Sequence, residues 1–353
     1  MDFSFHNKQI EGVLSVLPEK LYTFEDEVTN PDDPKSKRLK KIIGFGTRRC
    51  VKHTTTMSDM LLYGLHKLID EGCIRADEIG AIVVVTLCQD YMLPLISNII
   101  HGELGLGHEV MCVDMPQACA GYISGLIESF MLLDHMEGKK VLLCTGEILN
   151  RKSETDYRTD NPSFGGDVAN ITIVSNNTTG LNPNIYARME SDGGRRNALL
   201  IEYGGFRKPM TPELAANPYI STPCSHVNMD GSGVFNFVQR EVPPMIRDMA
   251  DRNGNTIDDF DYYFFHQPNK FMLQKLATAL GIPYEKMPMD ITETLGNSDS
   301  GTIPVAMTTN ASEDLVLNRR LCCLSGFGGG LTWGAVTMNI GPLDFCANVI
   351  SDL

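Results

Sequence analysis

One cysteine stands where the chain could place a nucleophile. Cys119 follows a strand-like run and opens a long apolar helix, with Ala118, Ala120 and Gly121 as its neighbours. Small neighbours leave the sulfur sterically open, and the positive end of a helix favours the thiolate over the thiol. The pattern therefore predicts a nucleophilic cysteine in the first turn of a helix, although a small residue needed for tight strand-to-helix packing would give the same pattern.

Three other stretches carry groups suited to thiolate chemistry. His266 ends the apolar run YYFFHQ, and the carboxyl ends of strands are where open α/β sheets present ligand-binding groups. Asn297 follows a glycine in a loop of small residues, and glycines 328–330 allow a backbone to approach a ligand and donate an N–H to it. Each has a structural alternative: a core histidine, a turn residue and a tight turn between strands.

Two other classes of site share parts of this pattern and are excluded. A phosphate-binding loop is glycine-rich, but the glycine run here precedes a strand and lacks a GK[ST] or GxGxxG ending. A papain-like protease has Cys, His and Asn in the same order, but the CGSCW type of signature, a secretory signal and a disulfide framework are missing. The ten cysteines show no CxxC and no zinc spacing, which predicts reduced thiols, no metal site and no cofactor.

The charge balance limits the classes of partner that the chain can bind. Its 353 residues are 42% hydrophobic and carry a net charge of -14, from 30 Lys and Arg against 44 Asp and Glu. Such a chain can bury a large core and does not favour binding to nucleic acid or to an anionic membrane. No apolar run approaches the roughly 18 residues of a membrane span, and residues 1–20 lack the pattern of a secretory signal. We therefore expect a cytoplasmic protein without a membrane span.

Helix and strand patterns alternate around the candidate residues. Apolar residues recur at helical spacing from Ser58 to Cys73, behind Ser58 as a cap, and the apolar run at 81–87 is typical of a strand covered on both faces. The further predicted elements are helices near 95–104, from 117, and at 234–252 and 269–280, and strands at 109–114, 139–147 and 262–267. This alternation indicates crossover units around a buried sheet, repeated in two similar halves.

The two halves are predicted to meet near residue 180. Residues 1–180 would form an N-terminal half with the nucleophile, and residues 181–353 a C-terminal half with the histidine and asparagine. Residues 176–232 are rich in Asn, Gly, Pro and Ser and predict loops, and the polar segment 25–41 predicts an exposed loop.

Together the four stretches resemble the β-ketoacyl-acyl-carrier-protein synthase III family of the thiolase superfamily. Members of that family carry ACAG, HQAN, GNTS and FGGGFTWG in this order, and this chain has ACAG, HQPN, GNSD and FGGGLTWG. The similarity extends to IEGVLSVLP, DEIGAIVVVT, FGGDVANITIV and MDGSGVFNFV, so it spans nearly the whole chain. The resemblance implies a thiolase-like five-layered αβαβα fold built from two similar halves, and a homodimer.

The resemblance also implies a role for each residue. Cys119 would accept an acyl group, and His266 and Asn297 would bind the thioester carbonyl of the extender as an enolate forms. The backbone N–H groups of Cys119 and Gly329 would hold the tetrahedral oxyanion, and Phe327 would shield the nucleophile. A thiolate suits this chemistry because it is both a good nucleophile and a good leaving group.

The implied reaction is a decarboxylating Claisen condensation of a Cys-bound acyl primer with a malonyl thioester, as in fatty acid biosynthesis. The alternative is an acyltransferase of the same fold that moves an acyl group to an oxygen or nitrogen acceptor in a specialised pathway. A non-enzymatic partner of an active paralogue is a third class. The complete Cys-His-Asn set favours condensation, because acyl transfer alone needs no enolate-binding pair.

The resemblance also indicates how substrates reach the site. In the family, the loop after the strand corresponding to AIVVVTL crosses the dimer, so Met92 and Leu93 are the candidate residues of the primer pocket. The segment aligned with the family's coenzyme A clamp lacks the tryptophan that stacks on adenine. The primer donor is therefore open between acyl-CoA and acyl carrier protein.

Acyl carrier proteins are acidic, so an acidic enzyme must present a local cationic patch to one. Lys270, just after HQPN, is the preferred docking residue. The other basic run consists of Lys35, Lys37, Arg38, Lys40 and Lys41. A solvated loop with ordinary surface charge explains this run at least as well as a docking role.

Overall fold

A computed structural model describes residues 1–44, 46–149, 165–177, 180, 182–216 and 227–353. Its strands in chain order are β1 (Asp2–Phe5), β2 (Lys8–Pro18), β3 (Leu21–Thr23), β4 (Thr47–Arg49), β5 (Ile79–Val85), β6 (Met111–Met115), β7 (Lys140–Glu147), β8 (Val168–Asn176), β9 (Ile185–Ser191), β10 (Leu199–Ile201), β11 (Val227–Met229), β12 (Tyr262–Phe265), β13 (Arg320–Gly328), β14 (Thr332–Ile340) and β15 (Phe345–Ser351). Its α-helices are α1 (Phe24–Glu27), α2 (Pro34–Ile43), α3 (Met57–Asp70), α4 (Ile96–Glu103), α5 (Gly121–Leu133), α6 (Pro212–Ala215), α7 (Gly231–Arg252), α8 (Lys270–Leu280), α9 (Ile291–Thr294), α10 (Thr302–Asn310) and α11 (Ser312–Leu317).

Two mixed sheets form the centre of the molecule. The first sheet has the order β15-β2-β8-β7-β5-β6, and the second has the order β1-β9-β14-β13-β12. In the first sheet β5 is parallel to β6 and β7, while β8 is antiparallel to β7 and β2. In the second sheet β12 is parallel to β13, while β14 is antiparallel to β13 and β9. Every residue of β5 is buried, as its continuous apolar run predicts.

Helices cover both faces of both sheets and give five layers. α5 and α10 lie between the sheets, in a core that joins Val83 and Val85 of the first sheet to Leu324 and Val336 of the second. α3 and α4 pack on the outer face of the first sheet, and α7 and α8 pack on the outer face of the second. The chain therefore has the thiolase-like αβαβα fold that the resemblance implies.

The order of elements repeats along the chain. β2, α3, β5, α4, α5, β7 and β8 in the first half correspond to β9, α7, β12, α8, α10, β13 and β14 in the second. The outer strands cross between the halves, because β1 pairs with β9 of the second sheet and β15 pairs with β2 of the first. β8 ends at Asn176 and β9 begins at Ile185, and the division into residues 1–180 and 181–353 stays a prediction.

Hydrophobic periodicity predicted the main elements within a few residues, but it placed one cap wrongly. α3 begins at Met57, and Thr56 is its cap instead of Ser58, because the Thr56 hydroxyl accepts a hydrogen bond from the backbone N–H of Asp59 at 3.3 Å. The Asp59 carboxylate in turn accepts a hydrogen bond from the backbone N–H of Thr56 at 2.8 Å. This reciprocal pair fixes the start of the helix.

Two segments predicted as loops contain regular structure, so that prediction was wrong in part. Residues 25–41 include most of α2, which begins after Asp33, whose carboxylate accepts hydrogen bonds from the next two free N–H groups. Residues 176–232 include β9, which is paired on both sides in the second sheet. Residues 178, 179, 181 and 217–226 of that segment lie outside the described part. Among the described residues, no helix has the length and apolar character that a membrane crossing requires.

Candidate active site

Cys119 lies in the connection between β6 and α5. The turn is closed by a hydrogen bond from the Gly121 N–H to the Ala118 carbonyl at 2.6 Å, and α5 begins at Gly121. Cys119 therefore precedes the helix by two residues, and the prediction that it lies in the first helical turn was wrong. Its side chain is buried, with 7% of its surface exposed.

His266 follows β12 directly and is held by both neighbouring elements. Its backbone N–H donates to the Ser325 carbonyl on β13 at 2.8 Å, which extends the parallel pairing by one residue. Its Nδ1 lies 2.8 Å from the hydroxyl of Thr302, the first residue of α10. Burial lowers the pKa of His266 to about 3. The imidazole is therefore neutral at physiological pH.

Asn297 is held in place by two close backbone contacts. Gly296 has a φ of +83°, and a Cβ there would lie 2.7 Å from the backbone nitrogen of Gly166, so only glycine fits. The Gly166 N–H donates to the Asn297 carbonyl at 2.9 Å. The side-chain Oδ1 of Asn297 accepts from the backbone N–H of Asp299 at 2.9 Å, which leaves the amide Nδ2 as the end that can donate to a substrate.

The glycine run packs directly against the nucleophile. A Cβ at Gly328 would lie 2.5 Å from the Cys119 sulfur, so any larger residue there would displace it. The backbone N–H groups of Gly329 and Cys119 face the sulfur. Phe327 is 2% exposed, and its ring lies edge-on to the His266 imidazole with centroids 5.6 Å apart. The structure thus brings together the residues that sequence analysis placed at the site from four separate segments.

Asp299 is a site residue that sequence analysis missed. The Cys119 thiol donates a hydrogen bond to its Oδ1 at 3.3 Å. The Cys119 sulfur, a ring nitrogen of His266 and a carboxylate oxygen of Asp299 all lie within 4.8 Å of one another. The aspartate was visible in the GNSD segment, where the family motif has serine, but its direction depends on a φ of +44° that no pattern of residues predicts.

The thiol is not activated in the way the sequence suggests. Burial and the neighbouring Asp299 carboxylate raise the pKa of the Cys119 thiol well above its usual value. The N–H groups of Gly329 and Cys119 act in the opposite direction, but to a smaller extent. Any stabilisation of the thiolate by the start of α5 is therefore outweighed by burial and by the adjacent Asp299 carboxylate.

The predicted substrate-binding residues lie at the surface of this chain. Met92 and Leu93 are 71% and 80% exposed, in the loop between β5 and α4. Lys270 begins α8, and its ammonium lies 2.8 Å from the carboxylate of Glu293. Their roles remain predictions.

Comparisons with known proteins agree with this fold. Residues 250–340 match the family model described as 3-oxoacyl-[acyl-carrier-protein] synthase III C terminal. The chain is 26% identical over 326 residues to a β-ketoacyl-[acyl-carrier-protein] synthase III of Streptococcus uberis, covering 92% of this chain and 96% of that one. It is 25% identical over 338 residues to the protein of the same name from Streptococcus suis, covering 95% and 99%. A crystal structure of a 3-oxoacyl-(acyl-carrier protein) synthase from Burkholderia xenovorans superposes with a TM-score of 0.88 at 27% identity, over 99% of both chains.

Proposed function

Because the chain belongs to the β-ketoacyl-acyl-carrier-protein synthase III family, we propose that it condenses an acyl primer with a malonyl thioester. The primer is loaded on Cys119, and the malonyl group arrives on acyl carrier protein. Loss of carbon dioxide generates an enolate, whose carbon attacks the Cys119 thioester. The Cys119 thiolate then leaves, and a β-ketoacyl thioester is released.

The observation that carries this proposal is the convergence of Cys119, His266 and the Asn297 loop in one buried site. His266 is neutral because burial lowers its pKa to about 3, so its imidazole can bind an enolate oxygen through an N–H. The Thr302 hydroxyl lies 2.8 Å from Nδ1 and donates to the Asp299 carbonyl, so binding of the enolate through an Nε2 proton requires this hydroxyl to turn towards Nδ1. The amide Nδ2 of Asn297 supplies the second donor.

The tetrahedral intermediate at Cys119 has donors of its own. The N–H groups of Cys119 and Gly329 face the sulfur, which supports their assignment to the oxyanion that forms on the attached acyl carbon. Gly328 allows this approach because it has no Cβ to meet the sulfur. Two separate sets of donors thus serve the two oxygens that become negative.

Product analysis tests the proposed reaction. The protein is mixed with an acyl donor and a malonyl thioester, and a β-ketoacyl thioester with equimolar carbon dioxide is expected. A panel of acyl-CoA and acyl-carrier-protein donors in the same assay identifies the primer and its carrier. Turnover on an alcohol or amine acceptor without carbon dioxide would favour the acyltransferase alternative.

We propose further that two copies of the chain form a dimer in the cytoplasm and that the loop between β5 and α4 reaches the partner's primer pocket. Tyr91, Met92 and Leu93 form an exposed apolar run, 62%, 71% and 80% accessible in the single chain. Three consecutive large apolar residues at a surface favour contact with another protein. A second copy of the chain, with its own buried site, is the occupant that fits this loop.

Changing the size of Leu93 should shift the preferred acyl length. Leu93→Ala enlarges the pocket and Leu93→Phe shortens it, so the two variants should move the ratio of rates for neighbouring acyl lengths in opposite directions, by about tenfold. Rates with a series of acyl donors give the profile. Leu317→Ala, at another exposed leucine, should leave the profile unchanged. Identical profiles in wild type and both Leu93 variants would remove this loop from the pocket.

The basic residues proposed for docking come together on one surface. α2 packs against α8, and a Cβ at Gly44 would lie 3.5 Å from the Cβ of Lys270. Lys37 and Lys40 form ion pairs with acidic neighbours, as Lys270 does with Glu293. We include in the proposed docking surface the exposed cations of α2, whose end lies beside Lys270, and these are Lys35, Lys37, Arg38 and Lys41.

Charge reversal at Lys270 tests this docking surface. Lys270→Glu should raise the KM for malonyl-acyl-carrier-protein about tenfold relative to the KM for a small malonyl thioester, because the carrier protein is acidic. The difference should shrink at high salt. Lys67→Glu removes a comparable lysine, paired with Glu71 on α3 at the other side of the molecule, and should change neither value. An equal change in both KM values for Lys270→Glu would contradict docking.

A further inference from the structure

We propose that Asp299 is a further catalytic residue, whose carboxylate shares the proton of the Cys119 thiol and takes it up when Cys119 attacks the acyl donor. The inference rests on the proposed function in that Cys119 is the residue loaded. It adds a proton acceptor that the Cys-His-Asn set does not contain.

The position of the Asp299 carboxylate is fixed by its backbone. Its N–H donates to the Asn297 side chain at 2.9 Å, and its carbonyl accepts from the Thr302 hydroxyl at 3.0 Å. The residue begins a single 3-10 turn, Asp299–Gly301, with a φ of +44°. Aspartate tolerates this left-handed conformation better than most residues, and the side chain is directed at the Cys119 sulfur 3.3 Å away.

Among the described His, Asp and Glu side chains, His266 and Asp299 are the ones that cluster at the Cys119 sulfur. The titratable groups that converge there are Cys119 itself, His266 from the end of β12 and Asp299 from the turn before α10. The glycine run contributes backbone N–H groups, which donate and cannot accept. His266 is a weak base because burial lowers its pKa to about 3. Asp299 is therefore the remaining acceptor.

Sharing one proton avoids the unfavourable pair of charges. A thiolate beside an ionised carboxylate in a buried site places two negative charges about 3 Å apart without a cation. If the proton moves from sulfur to Oδ1, the pair keeps a single negative charge and the sulfur becomes the thiolate. Burial raises the pKa of the Asp299 carboxyl, which brings its proton affinity closer to that of the thiol.

The loading step then balances without an added acid or base. The Cys119 sulfur attacks the carbonyl carbon of the acyl donor while its proton passes to the Asp299 carboxylate. The tetrahedral intermediate collapses by breaking the bond between the acyl carbon and the donor sulfur. The departing thiolate takes the proton from the Asp299 carboxyl, so acyl-Cys119, the free donor thiol and ionised Asp299 remain.

Asp299 departs from the family motif quoted above. The fourth residue of the segment is serine in the family's GNTS and Asp299 in the GNSD of this chain. A serine hydroxyl is no base at neutral pH, so the proposed proton transfer adds to the roles that the resemblance implies.

The pH dependence of Cys119 alkylation tests the shared proton. Iodoacetamide reacts with the thiolate, so the alkylation rate at Cys119, followed by peptide mass, reports the thiolate fraction. When two groups share one proton, the thiolate fraction stays constant at pH values between the two macroscopic pKa values of the pair. Wild-type protein should therefore show a plateau about two pH units wide. EDTA is present because a thiol, an imidazole and a carboxylate can bind adventitious metal.

Asp299→Asn keeps nearly the same side-chain shape but removes the carboxyl. Only the Cys119 thiol of the pair then titrates. Its rate should fall about tenfold per pH unit below the thiol pKa, with no plateau. At pH values above the plateau the variant should be alkylated faster than the wild type, because it lacks the carboxylate that opposes the thiolate. Asp290→Asn, at a partly exposed aspartate that pairs with Asn310, should keep the wild-type plateau. If Asp299→Asn does not fold, Asp299→Ser serves the same purpose.

A wild-type alkylation rate that falls steadily as the pH is lowered, without a plateau, would overturn the proposal. The wild-type profile alone shows this, even if no Asp299 variant folds. The experiment uses neither acyl donor nor malonyl thioester. A plateau without any condensing activity would therefore leave Asp299 as the proton acceptor and reject the proposed reaction. Condensation without a plateau would support the proposed reaction and reject Asp299 as the proton acceptor.

Discussion

Cys119→Ala protein should gain no acyl mass under conditions in which the wild-type protein is fully loaded. The covalent step requires a sulfur to attack the acyl carbon, and alanine has no nucleophile to replace it. The substitution removes one atom from a buried side chain, so the fold should be retained. Intact-protein mass spectrometry after incubation with an acyl donor gives the result directly.

A second cysteine variant controls for adventitious acylation. Cys112 lies on β6 and is partly exposed, so it is a chemically similar thiol outside the site. Cys112→Ala should acquire the same adduct as the wild type at the same rate. Equal adduct formation in Cys119→Ala would make Cys119 a packing residue and would remove the proposed mechanism.

Removal of His266 or Asn297 should separate the two half-reactions. Each contributes a donor to the enolate oxygen, so His266→Ala and Asn297→Ala should each lower malonyl decarboxylation on the order of 100-fold or more. Loading of Cys119 should change much less in His266→Ala, because the imidazole does not contact the acyl carbon in that step. Asn297→Ala also removes the acceptor of the Asp299 N–H, so its loading should fall by more than that of His266→Ala but by less than its decarboxylation. Carbon dioxide release and acyl mass, measured separately in each variant, give the two rates.

Matched variants outside the site show whether these losses are specific. His101 on α4 and Asn310 at the end of α10 lie outside the site, and their alanine variants should decarboxylate like the wild type. Because burial lowers the pKa of His266 to about 3, its neutral form persists across pH 5–8. Its protonation should therefore cause no loss of decarboxylation rate in that range. Loading reduced as strongly as decarboxylation in both variants would show that they disturb the whole site.

The main helices and strands could be predicted because their determinants are local, whereas the five-layered arrangement followed from the resemblance. The apolar run of β5 and the helical spacing of α3 each specify an element from a few adjacent residues, and both formed where expected. β9 was hidden because its sequence, IYARMES, lies among polar residues and its strand is fixed by pairing with β1 and β14. α2 was missed because its charged residues suggested a solvated loop, although Asp33 and Pro34 form a cap.

The site was predictable in membership but not in its electrostatics. Cys119, His266 and Asn297 were identified from motifs, and their segments do converge. The charge state of the sulfur depends on two features that no motif specifies, namely its burial and the positive φ of Asp299. The turn at Asp299 places a carboxylate against the thiol, and together with burial it raises the pKa of Cys119.

A single turnover of pre-acylated enzyme tests the central claim most directly. The protein is loaded on Cys119, freed of excess donor and mixed with a malonyl thioester, and the acyl adduct, carbon dioxide and product are counted. We expect one carbon dioxide and one β-ketoacyl thioester for each adduct lost from Cys119. Stable acyl-Cys119 in the presence of malonyl donors, with loss of the adduct only to an alcohol or amine acceptor, would contradict condensation.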